Sequence, residues 1–435
     1  MSGLVKVNLL TIAYRNLSRH MTKTIITSLA VCIGISLYIF MDAMLLGADI
    51  DTQRNIVNYE TGSAKIYSKA YYEKKDEMPV YELFYNYNSI IETMNKNGWN
   101  AAPRVIFAGS LISPSQEMGF VFHGIDIERE KTVLQYDRYL TDGVMPEKGT
   151  FQIALGSKGA RNLGVKPGDL VRLNTVIDKK DENGVVRHIN QLLDFTVSGI
   201  IHSPNPRTNG AVAYLPLDIL QDDMGLLLEG GVTEIIMRKK GVQDAMLPNA
   251  SENIVNVQTM LKDILPNDFV LISWFDDAKD FITLSRSKSA GSKTMIFFLF
   301  LLAFMGISNT MLMAVLERGK EIGMMRALGM TNSMITKIFF YEAGLIGFIG
   351  GFFGVILGVA LNVYMVNVGI DFGSMMDQMG MDNIGYRISG TFKSTWNYSV
   401  IAGSWIIGTI IAAFTAIPPV KRILKMPIAE ALRFE

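Results

Sequence analysis

Gly291-Ser292-Lys293-Thr294 is the stretch nearest to a phosphate-binding loop, in which glycines let backbone N–H groups approach phosphates and a lysine reaches the terminal ones. That pattern requires glycine at positions 287 and 292, and both hold serine. His20, His123, His188 and His202 are too scattered for metal-ligand spacing. The chain has no HExxH, no nucleophile elbow and no GxGxxG. Ser157-Lys158, set between Gly156 and Gly159, is placed to meet an anion at a helix start, but reads more simply as a turn. Asp42, Asn309, Glu342 and Asn362 interrupt apolar runs, where a polar group is costly and therefore a functional hypothesis by default. Asp42 and Glu342 lie toward the ends of their runs, where interfacial water lowers that cost, so structural roles are expected. These residue types in these patterns do not build a catalytic centre, a metal site or a cofactor pocket.

The elements around them point elsewhere. The chain has 435 residues with 41 basic and 41 acidic side chains, so no net charge draws it to nucleic acid. Its hydrophobic fraction of 49% and mean hydropathy of +0.24 are high for a soluble protein and low for one that is all membrane. The combination predicts several spans plus a large water-soluble part. Cys32, the lone cysteine, excludes an intrachain disulfide.

In chain order, residues 1–24 carry Lys6, Arg15, Arg19 and Lys23, no carboxylate, and an apolar stripe at helical spacing. They read as an amphipathic helix on the inner membrane face. A first span over 25–48 is longer than the apolar core of a cleaved signal. Residues 49–289 lack any further run long enough to cross a bilayer and alternate strand and helix signals, as an α+β domain does. Strands are expected at 118–125, 151–155, 170–176, 195–201, 211–215, 233–237 and 269–274, with helices at 157–163 and 251–265 and a hairpin turn at Asn183-Gly184. Helix is expected from Asp276 into a second span over 290–316, with Gly291 its weak point. A loop at 317–338, a third span at 339–366, an outer loop at 367–398, a fourth span at 399–420 and a tail at 421–435 complete the chain. Basic flanks alternate with basic-poor loops at each crossing, which orients both termini to the cytoplasm. The fold class is thus a membrane protein of four helices with a large extracytoplasmic α+β domain between the first and second. Gly347, Gly350, Gly354 and Gly358 in the third span mark close helix–helix contact, within the chain or across a dimer.

The loop after the second span is the most informative stretch. Ile322, Met325 and Leu328 recur every third residue and give a short helix one apolar face. Gly329 stands where such a helix would end, and Thr331, Asn332 and Ser333 each offer an N-cap for the next.

The run Glu317-Arg318, Lys320-Glu321-Ile322-Gly323, Arg326-Ala327-Leu328-Gly329 and Glu342 resembles the motif of FtsX-like ABC-transporter permeases. Ala13, Arg15-Asn16-Leu17 and Arg19 near the start, and Pro427 to Arg433 near the end, resemble the same family. The resemblance implies a type VII, mechanotransmission permease, closest in architecture to the lipoprotein-releasing and macrolide-exporter permeases. It implies that Glu317, Arg318, Lys320, Glu321, Ile322, Met325, Arg326, Leu328 and Gly329 form the coupling element. An ATPase dimer would grip the Ile322/Met325/Leu328 face, with Glu321 and Arg326 as polar anchors. ATP and magnesium would be bound by that partner and not by this chain. A second permease copy or paralogue, membrane lipid and an exported substrate complete the implied partners. The implied site of action is the inner membrane and periplasm, and the implied work is release of lipoproteins. Export with a periplasmic adaptor, or a scaffold or sensor without transport, are the alternatives.

Overall fold

The computed structural model describes residues 9–19, 21–135, 139–180, 186–203, 205–222, 230–240, 255, 257–259, 262, 268–371 and 391–427. The Asn183-Gly184 turn, most of the expected 251–265 helix and the Ile428–Arg433 ending lie outside these residues. The chain divides into two compact units. The first, helical, comprises Met1–Asp49, Arg286–Asp371 and Thr391–Glu435; the second, built on a sheet, includes Ile50–Ser285.

The helical unit uses α1 (Leu9–Arg19), α2 (Met21–Ile56), α3 (Lys279–Glu317), α4 (Gly319–Ala327), α5 (Asn332–Asn367), α6 (Tyr398–Thr415) and α7 (Ile417–Leu424), of which α2 and α3 continue into the other unit. Among the described residues, three helical stretches are long and apolar enough to cross a membrane: Thr24–Thr61, Asn332–Asn367 and Tyr398–Leu424. The expected second span falls within α3, which runs unbroken through Gly291. Alpha-helix also continues past the expected end of the first span, to Ile56, before a π-helical turn at Val57–Thr61 and Gly62 at φ +63° end it. The buried side chains of α5 sit on one side, while Phe352, Phe353 and Ile356 are exposed, as they would be toward lipid. Pro418 and Pro419 occupy the first turn of α7, where a missing N–H costs nothing.

The sheet unit holds one ten-stranded sheet in the order β10-β1-β9-β2-β3-β8-β5-β7-β4, with β6 paired to β2 and β7. Its strands are β1 (Ala64–Ser68), β2 (Trp99–Ile112), β3 (Glu117–Ile125), β4 (Leu140–Gly143), β5 (Gln152–Gly156), β6 (Leu170–Lys180), β7 (Val186–Ile201), β8 (Val212–Pro216), β9 (Glu234–Lys239) and β10 (Phe269–Ser273). All seven expected strands are present, and β6 and β7 pair as a long hairpin from Leu170↔Thr196 to Lys180↔Val186. β3 with β8 and β5 with β7 pair in parallel, the other strand pairs are antiparallel, and short helices such as Ser157–Leu163 lie between strands along the chain, which makes the unit α+β. Its core is apolar and continuous, from Ile66 and Phe122 to Phe195 and Ile235, all fully buried.

β1 and β2 were not visible to pattern reading. β2 carries Pro103, a residue that normally argues against a central strand. It is tolerated because β2 changes partner there, pairing with β9 up to Arg104 and with β3 from Arg104 onward. β1 carries Lys65 at a buried position, which only an ion pair makes affordable.

Candidate coupling site

The short helix α4 is held at both ends. At its start Arg318, 8% exposed, donates through Nη1 to both carboxylate oxygens of Glu342 on α5, at 3.0 and 3.2 Å. Its Nε donates to Glu321 at 3.1 Å, and its guanidinium lies 5.4 Å from the centre of the Phe339 ring. A two-oxygen arginine–carboxylate contact fixes direction as well as distance. At its far end, the Gly329 N–H bonds the Arg326 carbonyl at 3.1 Å and the Met330 N–H bonds that of Met325 at 3.0 Å. With Gly329 at φ +91°, this is the Schellman cap that a glycine permits and a side chain would strain. Thr331 then caps α5 by accepting the Met334 N–H at 3.3 Å.

The expected gripping face is redistributed. Ile322 is fully buried in the apolar cluster that also holds Leu17, Ile335, Phe339 and Val420, so it ties α4 to its own helical unit. Met325 is half-buried on the same cluster, whereas Leu328 is 86% exposed. Glu321 is engaged by Arg318 and, at 3.9 Å, by Arg19; Arg326 donates to the Met426 carbonyl at 2.7 Å. Both expected polar anchors therefore tie α4 inward. The outward surface is instead Lys320, Met324, Ala327 and Leu328, one helical stripe, continued by Gly329. Glu317 is exposed at the end of α3.

The glycines of α5 act within the chain. A β-carbon at Gly350 would lie 2.6 Å from the Ser28 carbonyl oxygen, one at Gly354 2.8 Å from that of Cys32, and one at Gly358 3.2 Å from the Ser36 Cα, all on α2. Gly347 faces α6, where the added carbon would meet the Ala412 side chain at 2.6 Å. Two glycine strips thus let α5 lie against α2 on one side and α6 on the other. Two of the polar groups in these helices accept hydrogen bonds: Asp42 from the Asn397 amide at 2.6 Å, and the Asn362 carbonyl oxygen from the Ser394 hydroxyl at 2.5 Å. Asn309 is exposed on α3.

Residues 293–428 match the family described as FtsX-like permease C-terminal, a match that takes in α4, the Arg318–Glu342 pair and the glycine strips. The chain carries an FtsX-like permease domain. Along its length this permease is similar to an uncharacterized ABC transporter permease of Methanocaldococcus jannaschii, 23% identical over 98% of both chains. It is similar to the lipoprotein-releasing system transmembrane protein LolC of Neisseria meningitidis, 23% identical over 79% of this chain and 80% of that one. It also resembles the macrolide export ATP-binding/permease protein MacB of Campylobacter jejuni, 22% identical over 84% of this chain and 55% of that one. The likeness to these ABC-transporter permeases, at 22–23% identity, runs over most of this chain.

The sheet unit of the permease contains a buried charge network that no sequence motif announces. Arg104, 1% exposed, donates to Glu130 through both Nε, at 2.5 Å, and Nη2, and through Nη1 to Glu234 at 3.4 Å. Lys65 lies 2.8 Å from Asp277 and 3.7 Å from Glu234. Arg104, Lys65, Glu234 and Asp277 line a cavity of about 440 Å³ walled by tyrosines. Burial works against the Asp277 carboxylate, but Lys65 and then Lys75 outweigh it and hold its pKa below the usual value. Glu130 is the opposite case. Burial outweighs the pull of Arg104, and the nearby charges of Glu234 and Asp126 add to it, so the Glu130 pKa is pushed up to about 7.

A carboxyl raised from 4.5 to about 7 on folding stabilises the native state fully below the lower value, and that contribution is lost as pH rises through the higher one. Glu130→Gln keeps the acceptor for Arg104 and removes the titration. We expect its Tm, measured on the whole permease in detergent, to lose the decline that the unaltered protein shows between about pH 4.5 and 7. Parallel Tm curves for the two proteins would show that Glu130 does not titrate there.

Proposed function

We propose that this permease works with a separate ABC ATPase dimer that docks on the outward stripe of α4, Lys320, Met324, Ala327 and Leu328, and that ATP-driven closure of that dimer is transmitted through the spans to the sheet unit. One observation carries the reading: α4 presents an exposed apolar stripe while Arg318–Glu342, Ile322 and the Gly329 cap fix it to the helices. A rigid lever with a sticky outer face suits a partner that pushes. The sheet unit then does its work outside the inner membrane, in the periplasm, and no continuous pore is needed. Membrane lipid surrounds the spans, and a second permease copy or paralogue completes the assembly.

For the work itself we favour release of lipoproteins from the inner membrane towards the outer membrane. The supporting observation is the likeness to LolC, which extends over 80% of that chain. Likeness to MacB over 84% of this chain supports the second reading, export with a periplasmic adaptor.

Leu328→Glu and Met324→Glu test the docking face. Both side chains are exposed, so Tm should stay within about 0.5 kcal/mol equivalent of the unaltered protein. Burying a charge in an apolar contact should lower ATPase stimulation by the permease at least about tenfold. Unchanged stimulation in both variants would remove α4 from the coupling route. Copurification from native membranes decides between the cargo readings. An ATPase with a second, similar permease supports lipoprotein release; an ATPase with an adaptor supports export; an intact complex without any ATPase leaves only a scaffold.

A further inference from the structure

A groove of about 760 Å³ runs between the first turns of α5 and the amphipathic helix α7, beside the outward stripe of α4 in sequence and within the same unit. Lys337 from α5 and Lys421 and Lys425 from α7 line it, and no carboxylate does. Lys421 and Lys425 are four residues apart and share one helix face. All three are exposed, and among the described residues none of them forms an ion pair. In a chain with as many acidic as basic side chains, three uncompensated lysines in one concavity are a local concentration of positive charge.

The rest of the wall is not that of a phosphate-only site. Phe340 and Ile417 supply apolar surface. Phe340 stands edge-on to Phe414, at 5.4 Å between ring centres, and Phe414 is 57% exposed on α6. An apolar path therefore leads from the lysines onto the exposed face of a helix long and apolar enough to cross a membrane. The first turn of α5 adds hydroxyl groups from Ser333 and Thr336 and no acidic residue.

We propose that this groove binds an anionic phospholipid of the membrane leaflet on the α4 side, its phosphate between Lys337, Lys421 and Lys425 and its acyl chain along Phe340 and Phe414. Basic pockets between helices at a membrane surface hold such headgroups, and each lysine near the surface contributes roughly fivefold in affinity. The inference rests on the reading of this chain as a membrane-embedded permease. Bound there, the lipid ties α7 to the base of α5, next to the element on which the ATPase would push.

The whole permease in mild detergent, offered phosphatidylglycerol and phosphatidylcholine in equal amounts, should retain phosphatidylglycerol preferentially in native mass spectrometry. Each single Lys→Gln variant should lower that preference by about fivefold, the triple variant K337Q/K421Q/K425Q by roughly a hundredfold, and the triple Lys→Arg variant should keep it. Unaltered preference in the triple Gln variant, with its Tm unchanged, overturns the proposal. Displacement of the lipid by millimolar inorganic phosphate also overturns it, because the site would then recognise a free anion. Loss of a copurifying ATPase with lipid retention unchanged overturns it in favour of a protein contact. Lysine-dependent lipid retention in a preparation that never binds an ATPase upholds the lipid site and sinks the coupling reading alone.

Discussion

Arg318→Met will destabilise the helical unit by about 3–5 kcal/mol, because it removes the charge that Arg318 sets against the buried Glu342 carboxylate. Glu342 is 7% exposed and receives two hydrogen bonds from this one guanidinium. Removing one partner of such a pair costs far more than the pair is worth, since the remaining charge keeps its full desolvation penalty. The double variant R318M/E342M should therefore recover most of the lost stability, as apolar side chains of similar size commonly do in place of a buried pair. Thermal unfolding of the three proteins in detergent measures the effect. A single-variant loss no larger than that of a surface substitution would show that the pair is solvated and does not hold α4. The double variant carries a second reading. If it is stable but no longer stimulates an ATPase, the pair is needed for the direction of α4 rather than for folding.

Gly354→Leu should destabilise the same unit by a different route. Even the first added carbon would lie 2.8 Å from the Cys32 carbonyl oxygen and 3.0 Å from the Ile35 Cβ, so α5 must retreat from α2 along its length. Overpacking of this kind costs about 1–3 kcal/mol when neighbours can yield, and backbone yields less than side chain. Gly354→Ala should already lower Tm measurably. Gly403→Ala, on α6 with nothing within 4 Å of the added carbon, is the control and should be neutral or slightly stabilising. Equal behaviour of Gly354→Ala and Gly403→Ala would sink the close-contact reading of the glycine strip.

Much of this was legible in the residues. Gly329 announced the end of one helix and the run Thr331 to Ser333 the start of the next, and the structure makes both caps, the second with Thr331. Four-residue glycine spacing announced a close contact, although spacing alone left open which helix would answer it. The inward turn of Ile322 was not legible. A three-residue apolar period marks a helix face but is silent on what covers it. Here burial falls from complete at Ile322 to slight at Leu328, so the bundle takes one end of the face and leaves the other outside. The buried pairs in the sheet unit were hidden for a related reason. Arg104 and Glu234 are 130 positions apart, and no local pattern ties a charge to a partner that far along the chain. β1 was hidden in turn by Lys65, whose polarity broke the strand signal that its ion pair restores in the fold.

β1 also sets the order in which this protein can be made. It pairs with β9 on one side and β10 on the other, Ile66 opposite both Ile235 and Leu271. The N-terminal helices are synthesised first, yet the strand that follows them has no neighbour until residues 234–239 and then 269–273 have emerged. Loop closure over that distance is slow, and an unpaired strand edge is a template for wrong partners. Biogenesis thus includes an interval in which the leading segment is already committed while the sheet beyond it stands open. Translation through the last of these strands, Phe269–Ser273, ends that interval.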